Sequence, residues 1–181
     1  PGRAGEEKAR KSSTGKGVRK VEVKIYAETS WATPGKSCGI GMWLVEAGEQ
    51  KAQRRGFVRL IDVTKEQAQL RTLTAALDIL IRPCSVQIIM SDPVIGALNA
   101  GWPWQWKENG WRKKNGEEVK NSGDWESLLC GLEPHKFAGL HTEDHEKKEA
   151  MMLQICDELK KWKGEVMNTA FYVEKEESWK S

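Results

Sequence analysis

No apolar run in this chain is long enough to cross a membrane, and no apolar N-terminal segment reads as a secretory leader, so no membrane association is expected. Cysteine is sparse: the four residues at 38, 84, 130 and 156 show no CxxC spacing, which argues against a disulfide framework or a zinc ribbon and fits a reducing, intracellular setting. Cytoplasm and nucleus are not distinguished by this argument. Phosphate-binding loops need a spaced glycine signature ahead of a helix, and Gly96 and Gly101 are too isolated to supply one. Histidine is limited to His135, His141 and His145, and with Cys130 they form no HExxH or CxxC arrangement, so they read as ordinary surface or satisfied residues rather than a zinc site. Nor does charge of one sign dominate, because 29 Lys and Arg stand against 26 Asp and Glu.

What is present is unevenly placed. Residues 1–20 hold seven basic and two acidic side chains, so the basic character of the chain comes from this stretch, read as a flexible arm or linker. Residues 21–162 read as the globular domain and 163–181 as a C-terminal tail, and 181 residues suffice to bury a core. The start at Pro1 rather than Met is read as the mark of a piece of a larger parent polypeptide.

Alternation over Val21 to Ser30, Cys38 to Glu46 and Gly56 to Asp62 predicts an antiparallel meander. Thr64 is placed to cap a helix with Leu70, Leu73, Ala76, Leu77 and Leu80 on one apolar face, stopped by Pro83. Ser85 to Met90 reads as a buried parallel strand. Short helical pieces follow over Val94 to Asn99 and Trp102 to Glu108, with a break at Asn109-Gly110 and a turn at Asn115-Gly116. Ser122 to Leu132 is helical with Trp125, Leu128 and Leu129 inward, Lys136 to Leu140 is a strand, and His145 to Trp162 is a charged helix with Met152, Cys156, Leu159 and Trp162 as its contacts. Phe171, Tyr172 and Val173 leave room for one more strand.

Five of the nine tryptophans crowd into Gly101 to Trp111 and Trp125, and a cationic run from Arg112 to Lys120 interrupts them. Cations neutralise phosphates and release counterions, while indoles brace a protruding element or stack on sugars and bases. The plainer reading is that most of these rings pack and only Lys and Arg tips face a partner.

Three strands, a helix, a strand, three helical pieces, a strand and a last helix is the order of the ribonuclease H fold. Trp102, Trp106, Gly110-Trp111, Gly116, Val119-Lys120-Asn121 and Trp125 resemble the pattern around the basic protrusion of cellular-type ribonucleases H. Pro34-Gly35 with Gly39 and Gly41 looks like that family's first hairpin. The resemblance implies an α/β fold with a mixed five-stranded sheet flanked by helices. It further implies nucleic-acid contacts by Trp102, Lys107, Arg112, Lys113, Lys114, Lys120 and Asn121.

The family cleaves the RNA strand of an RNA/DNA hybrid with two divalent ions held by four carboxylates. Hard Mg²⁺ needs oxygen ligands, and two ions about 4 Å apart require several anions to neutralise them. Here the resemblance aligns Ala27-Glu28-Thr29-Ser30 with an Asp-Gly-Ser motif, Ala68-Gln69-Leu70 with Glu-Leu, and Ile89-Met90-Ser91 with Thr-Asp-Ser. Glu28, Gln69 and Met90 are thereby expected to converge in one patch, with Asp92 brought in only by a one-residue gap. The last acid falls near Ala150-Met151-Met152, with Glu146 and Glu149 nearby, and His141 takes the place of a mobile loop histidine.

A nucleic-acid-binding, catalytically degenerate module is the leading expectation, its partner an RNA/DNA hybrid or duplex. No cofactor is expected. An active hybrid ribonuclease, with Mg²⁺ or Mn²⁺ at Glu28 and Asp92, is the alternative. A protein-interaction scaffold is a further one, favoured by the dilution of the protrusion by Glu108, Glu117 and Glu118.

Overall fold

A computed structural model of the chain describes residues 19–31, 38–91, 93–141, 144–161 and 171–175. The elements are β1 (Val21–Trp31), β2 (Cys38–Ala47), β3 (Ala52–Ile61), α1 (Lys65–Asp78), β4 (Cys84–Met90), α2 (Val94–Ala100), α3 (Trp102–Glu108), α4 (Ser122–Leu132), β5 (Lys136–His141), α5 (His145–Lys161) and β6 (Phe171–Lys175). Most of the basic arm, the Pro34-Gly35 turn, Asp92 and most of the tail lie outside the described residues.

The sheet is mixed and runs β5-β4-β1-β2-β3-β6. β1, β2 and β3 form the antiparallel meander, and α1 carries the chain back so that β4 lies parallel to β1. β5 joins β4 in parallel, completing the five expected strands, and β6 adds a sixth on the β3 edge. β3 begins at Ala52, earlier than its composition suggests, because pairing from Ala47↔Ala52 onward recruits the polar stretch before Gly56.

Strand alternation divides the core in two. On one face Ile25, Val58, Leu60 and Ile88 pack with Leu70, Leu73 and Leu77 of α1 and with Trp125 and Leu128 of α4. On the other, Tyr26, Met42, Phe57 and Ile89 meet Met151 and Ile155 of α5. Each such burial contributes about 1.5–3 kcal/mol.

Thr64 caps α1 through a full capping box with Gln67. The helix ends at Asp78, before Leu80 and Pro83. It lies so close to β2 that a Cβ on Gly41 would come 1.9 Å from the Thr72 hydroxyl, which is why a glycine stands there. α5 buries Met151 and Ile155, with Met152 and Leu159 at the flanks and Cys156 exposed, so the inward stripe is shifted from the one its composition suggested. Trp43 is buried in the sheet core, Trp31 packs at its margin, and the Cys38 backbone opens β2.

Candidate functional site

Two neighbouring features occupy the end of the sheet where β4 leaves it. The first is the place where the resemblance expects acids. Parallel pairing sets Ala27 beside Met90, so these two share the α1 face and Glu28 points the other way, like its partner Met42. Met90 is 2% exposed and packed with Val94 and Ala68, so it does not join Glu28, and the expectation that the two converge is corrected. Its neighbour does: Ser91 Oγ lies 3.4 Å from Glu28 Oε1. Side-chain direction reverses with each residue on a strand, so Ser91 and not Met90 lies on the Glu28 side.

Gln69 is also at this place, but its amide is spent on backbone. Nε2 donates to Ser91 O at 3.2 Å while Oε1 accepts from Val94 N–H at 3.4 Å, so this 4% exposed side chain braces the β4–α2 connection. From the other side α5 contributes a cation, with Lys148 Nζ 3.4 Å from Ser91 Oγ. Glu146 and Glu149 are exposed. The signal for Lys148 was in the sequence: it stands three residues before Met151 and seven before Ile155, on the stripe that faces the sheet. His141 pairs through its backbone with Ile89, and its side chain and Asp92 lie outside the described residues. The residue before Lys148 on α5, Lys147, bonds Glu46, and that hydrogen bond holds its ammonium above the ordinary lysine range.

The second feature is a groove of about 810 Å³ whose walls include Trp102, Trp106, Arg112, Lys113, Lys114 and Lys120. Its floor comes from α1, because Glu66 lies three residues before Gln69 and therefore about 4.5 Å farther along the same helix. Glu66 Oε1 accepts from Trp125 Nε1 at 2.9 Å and from Asn121 Nδ2 at 3.2 Å. Asn121, in a left-handed conformation with φ 59°, thus ties the protrusion to α1. The protrusion is a small antiparallel bridge between Arg112 and Glu118, with Lys113 N–H donating to Glu117 O at 2.8 Å. Trp106 meets Trp125 edge-on at 5.7 Å and Trp102 at 6.2 Å. Trp106 and Trp125 are thus packing residues, whereas Trp102 is 52% exposed at the rim. Lys107 is exposed on α3 outside the groove wall. Arg112 is partly engaged, donating to Gly116 O at 3.0 Å and lying 3.6 Å from Glu118. Glu66, Gln105, Asn109 and Val119, which the sequence did not mark as site residues, also line it.

The histidine reading is settled for one residue. His135 Nδ1 accepts the Cys84 N–H at 3.0 Å, tying the start of β5 to β4, and burial holds its imidazole below the ordinary range. Among the described residues no group of three His, Cys, Asp or Glu side chains is arranged to hold a metal ion, and no helix is long and apolar enough to cross a membrane.

The RNase H family model matches residues 20–163. A ribonuclease H from Actinobacillus pleuropneumoniae serotype 5b is 31% identical over 140 residues, spanning 77% of this chain and 88% of that protein. One from Caldicellulosiruptor saccharolyticus is 28% identical, over 76% of this chain and 92% of its own length. In fold, the chain is similar to LC9-RNase H1, a type 1 RNase H with the type 2 active-site motif, at a TM-score of 0.62 and 16% identity, over 82% of this chain and 83% of that one. It is also similar to a foamy viral protease-reverse transcriptase solved with double-stranded DNA, at 0.51 and 15% identity, over 78% and 92% respectively. With the sheet order, the tryptophan-braced protrusion and a match over most of the chain, the protein belongs to the ribonuclease H family.

Proposed function

We propose that this domain grips the backbone of an RNA/DNA hybrid or duplex through the groove beside its protrusion and does not cut it. The carrying observation is the chemistry at the Ser91 end of β4. Among the described residues, the groups gathered there are the Glu28 carboxylate, a hydroxyl, an amide bonded at both ends, and the Lys148 ammonium. Paired divalent cations need several anionic oxygens, and a resident ammonium repels them, so this donor set does not fit the two-metal centre that the family implies. Glu28 with Asp92 would be the ligands in the active alternative, and two acids opposed by a lysine remain a weak set.

The groove keeps what binding requires. Arg112, Lys113, Lys114 and Lys120 supply charge to phosphates, and Trp102 supplies an exposed ring to a sugar or base. The contacts are to backbone, so affinity should depend on salt and hardly on sequence.

The test begins at Lys20, to remove the basic arm, and measures affinity for a hybrid duplex as salt is varied. Changing Arg112, Lys113 and Lys114 together to Ala should lower the salt slope by about two to three units and weaken all sequences alike. Incubation with hybrid and Mg²⁺ or Mn²⁺ should give no cleavage above that of Glu28→Ala. Cleavage that Glu28→Ala abolishes would establish the active ribonuclease instead. Absence of salt-sensitive binding would leave the protein-scaffold reading as the better account.

A further inference from the structure

At the opposite end of the sheet from Ser91, an apolar cavity of about 310 Å³ opens between the C-terminal end of α1 and the first strands. α1 stops at Asp78, and the chain from Ile79 to Arg82 closes one side while the strands form the other. Val23, Val45, Leu80 and Cys84 contribute to the wall, and Ile81 at the mouth is 89% exposed. A cavity of about 150 Å³ accommodates benzene, so this one has room for roughly ten carbon atoms. Charge at the rim is of one sign. Among the described residues the charged side chains in the wall are Arg54 and Arg82, both exposed, while Glu22, Glu46 and Asp78, each adjacent in sequence to a wall residue, lie outside it. Arg54 already has an interaction within the chain, which leaves Arg82 to meet an occupant. The Arg82 carbonyl accepts from Cys84 Sγ at 3.1 Å, holding this residue at the edge of the cavity. The end of α1 opposes it with about half a negative charge that fades within a turn, so a whole guanidinium sets the sign of the field.

We propose that this cavity binds a compact apolar carboxylate of about ten carbons, a medium-chain fatty acid in chemical class, with its hydrocarbon against Val23, Val45 and Ile79 and its carboxylate on the Arg82 guanidinium. The wall decides the body of the ligand. A sugar or nucleotide would bury hydroxyls and base edges against aliphatic side chains and leave them unpaired, which costs more than the contact returns. The rim decides its head. A cationic amphiphile would be repelled by Arg82, whereas a carboxylate gains a charge-assisted hydrogen bond while keeping one side in water. Glu66 of the groove and Ile79 of the cavity stand on the order of 20 Å apart along α1, so this site is distinct from the nucleic-acid surface.

Calorimetry of the full chain with decanoate, kept below its micelle concentration, should show saturable binding of one molecule, with decanol several-fold weaker and decyltrimethylammonium not bound. Arg82→Glu should weaken decanoate several-fold and leave decanol as it was, because the head group is half in water and the ion pair is correspondingly modest. Arg82→Lys should keep most of the affinity, and Ala47→Phe, which puts a ring into the wall, should abolish binding of both. Cys84 gives an independent reading, since it is 4% exposed in the wall while Cys130 and Cys156 are exposed elsewhere. Saturating decanoate should slow Cys84 alkylation several-fold in peptide-resolved labelling and leave Cys130 and Cys156 unchanged. Binding that does not saturate, that is equal for decanol and decanoate, or that ignores Arg82→Glu would overturn the proposal. So would decanoate binding that leaves Cys84 unprotected, because the ligand would then lie elsewhere on the chain.

Discussion

The protrusion groove and the Ser91 end of β4 share one helix, yet they are built on opposite principles. Along α1, Glu66 spends its carboxylate holding Trp125 and Asn121, which stiffens a wall whose cations reach solvent. Three residues on, Gln69 spends its amide on Ser91 and Val94. A binding surface keeps its charge exposed by anchoring the scaffold beneath. A metal centre must instead hold uncompensated anions together, whereas among the described residues Glu28 meets the Ser91 hydroxyl with the Lys148 ammonium close by. The contrast teaches that a cationic groove and a carboxylate centre make different demands on a fold, because phosphate contacts tolerate loose geometry while paired divalent metals do not.

Removing Trp125 should break the comparison most severely. It is 1% exposed, meets Trp106 edge-on and donates to Glu66, so Trp125→Ala is expected to cost about 3–5 kcal/mol in denaturant unfolding. Hybrid binding at low salt should fall with it. A loss under about 1 kcal/mol would show that the protrusion does not depend on this ring.

Gln69→Leu should separate the two regions. It leaves the Val94 N–H without its acceptor, costing about 1–3 kcal/mol of stability, while the groove and its salt slope should stay as they are. Equal damage to stability and to binding would mean that the regions are coupled through α1.

The comparison sharpens if the acid end can be converted. Ser91→Asp with Lys148→Glu replaces a hydroxyl and an ammonium by carboxylates beside Glu28, and calorimetry should then detect Mn²⁺ binding that exceeds the parent protein's by tenfold or more, about 1.4 kcal/mol. Failure to gain metal would place the fault in geometry rather than charge.

A smaller effect concerns His135, remote from both. Burial chiefly, with Lys20 adding to it, lowers its folded pKa below the ordinary 6.5, so the unfolded chain takes up the proton first as pH falls. Its contribution is therefore complete above about pH 6.5 and shrinks below it. Thermal unfolding between pH 7 and 5 should show this slope reduced in His135→Gln.

The elements followed from local rules. Thr64 and Gln67 form the cap that their spacing implies, the glycines at 110 and 116 turn the chain with φ of 64° and 86°, and Trp125, Leu128 and Leu129 face inward as their spacing requires. Helix phase was harder in α5, where mixed charges and several apolar residues allow two stripes, and contact with Tyr26 and Met42 selects Met151 and Ile155. β6 was recognisable only as a strand-like triplet, since pairing to β3 is a contact between residues more than 100 positions apart.

The site divides in the same way. By itself the sequence determined the family, the strand and helix order and the cationic protrusion, because these depend on residue identity and spacing along one chain. The tertiary structure decided that Ser91 rather than Met90 meets Glu28, that Lys148 comes to them from α5, and that Asn121 donates to Glu66. The physical reason is that side-chain direction in a strand reverses with a one-residue shift, and only the parallel register of β4 against β1 fixes that shift.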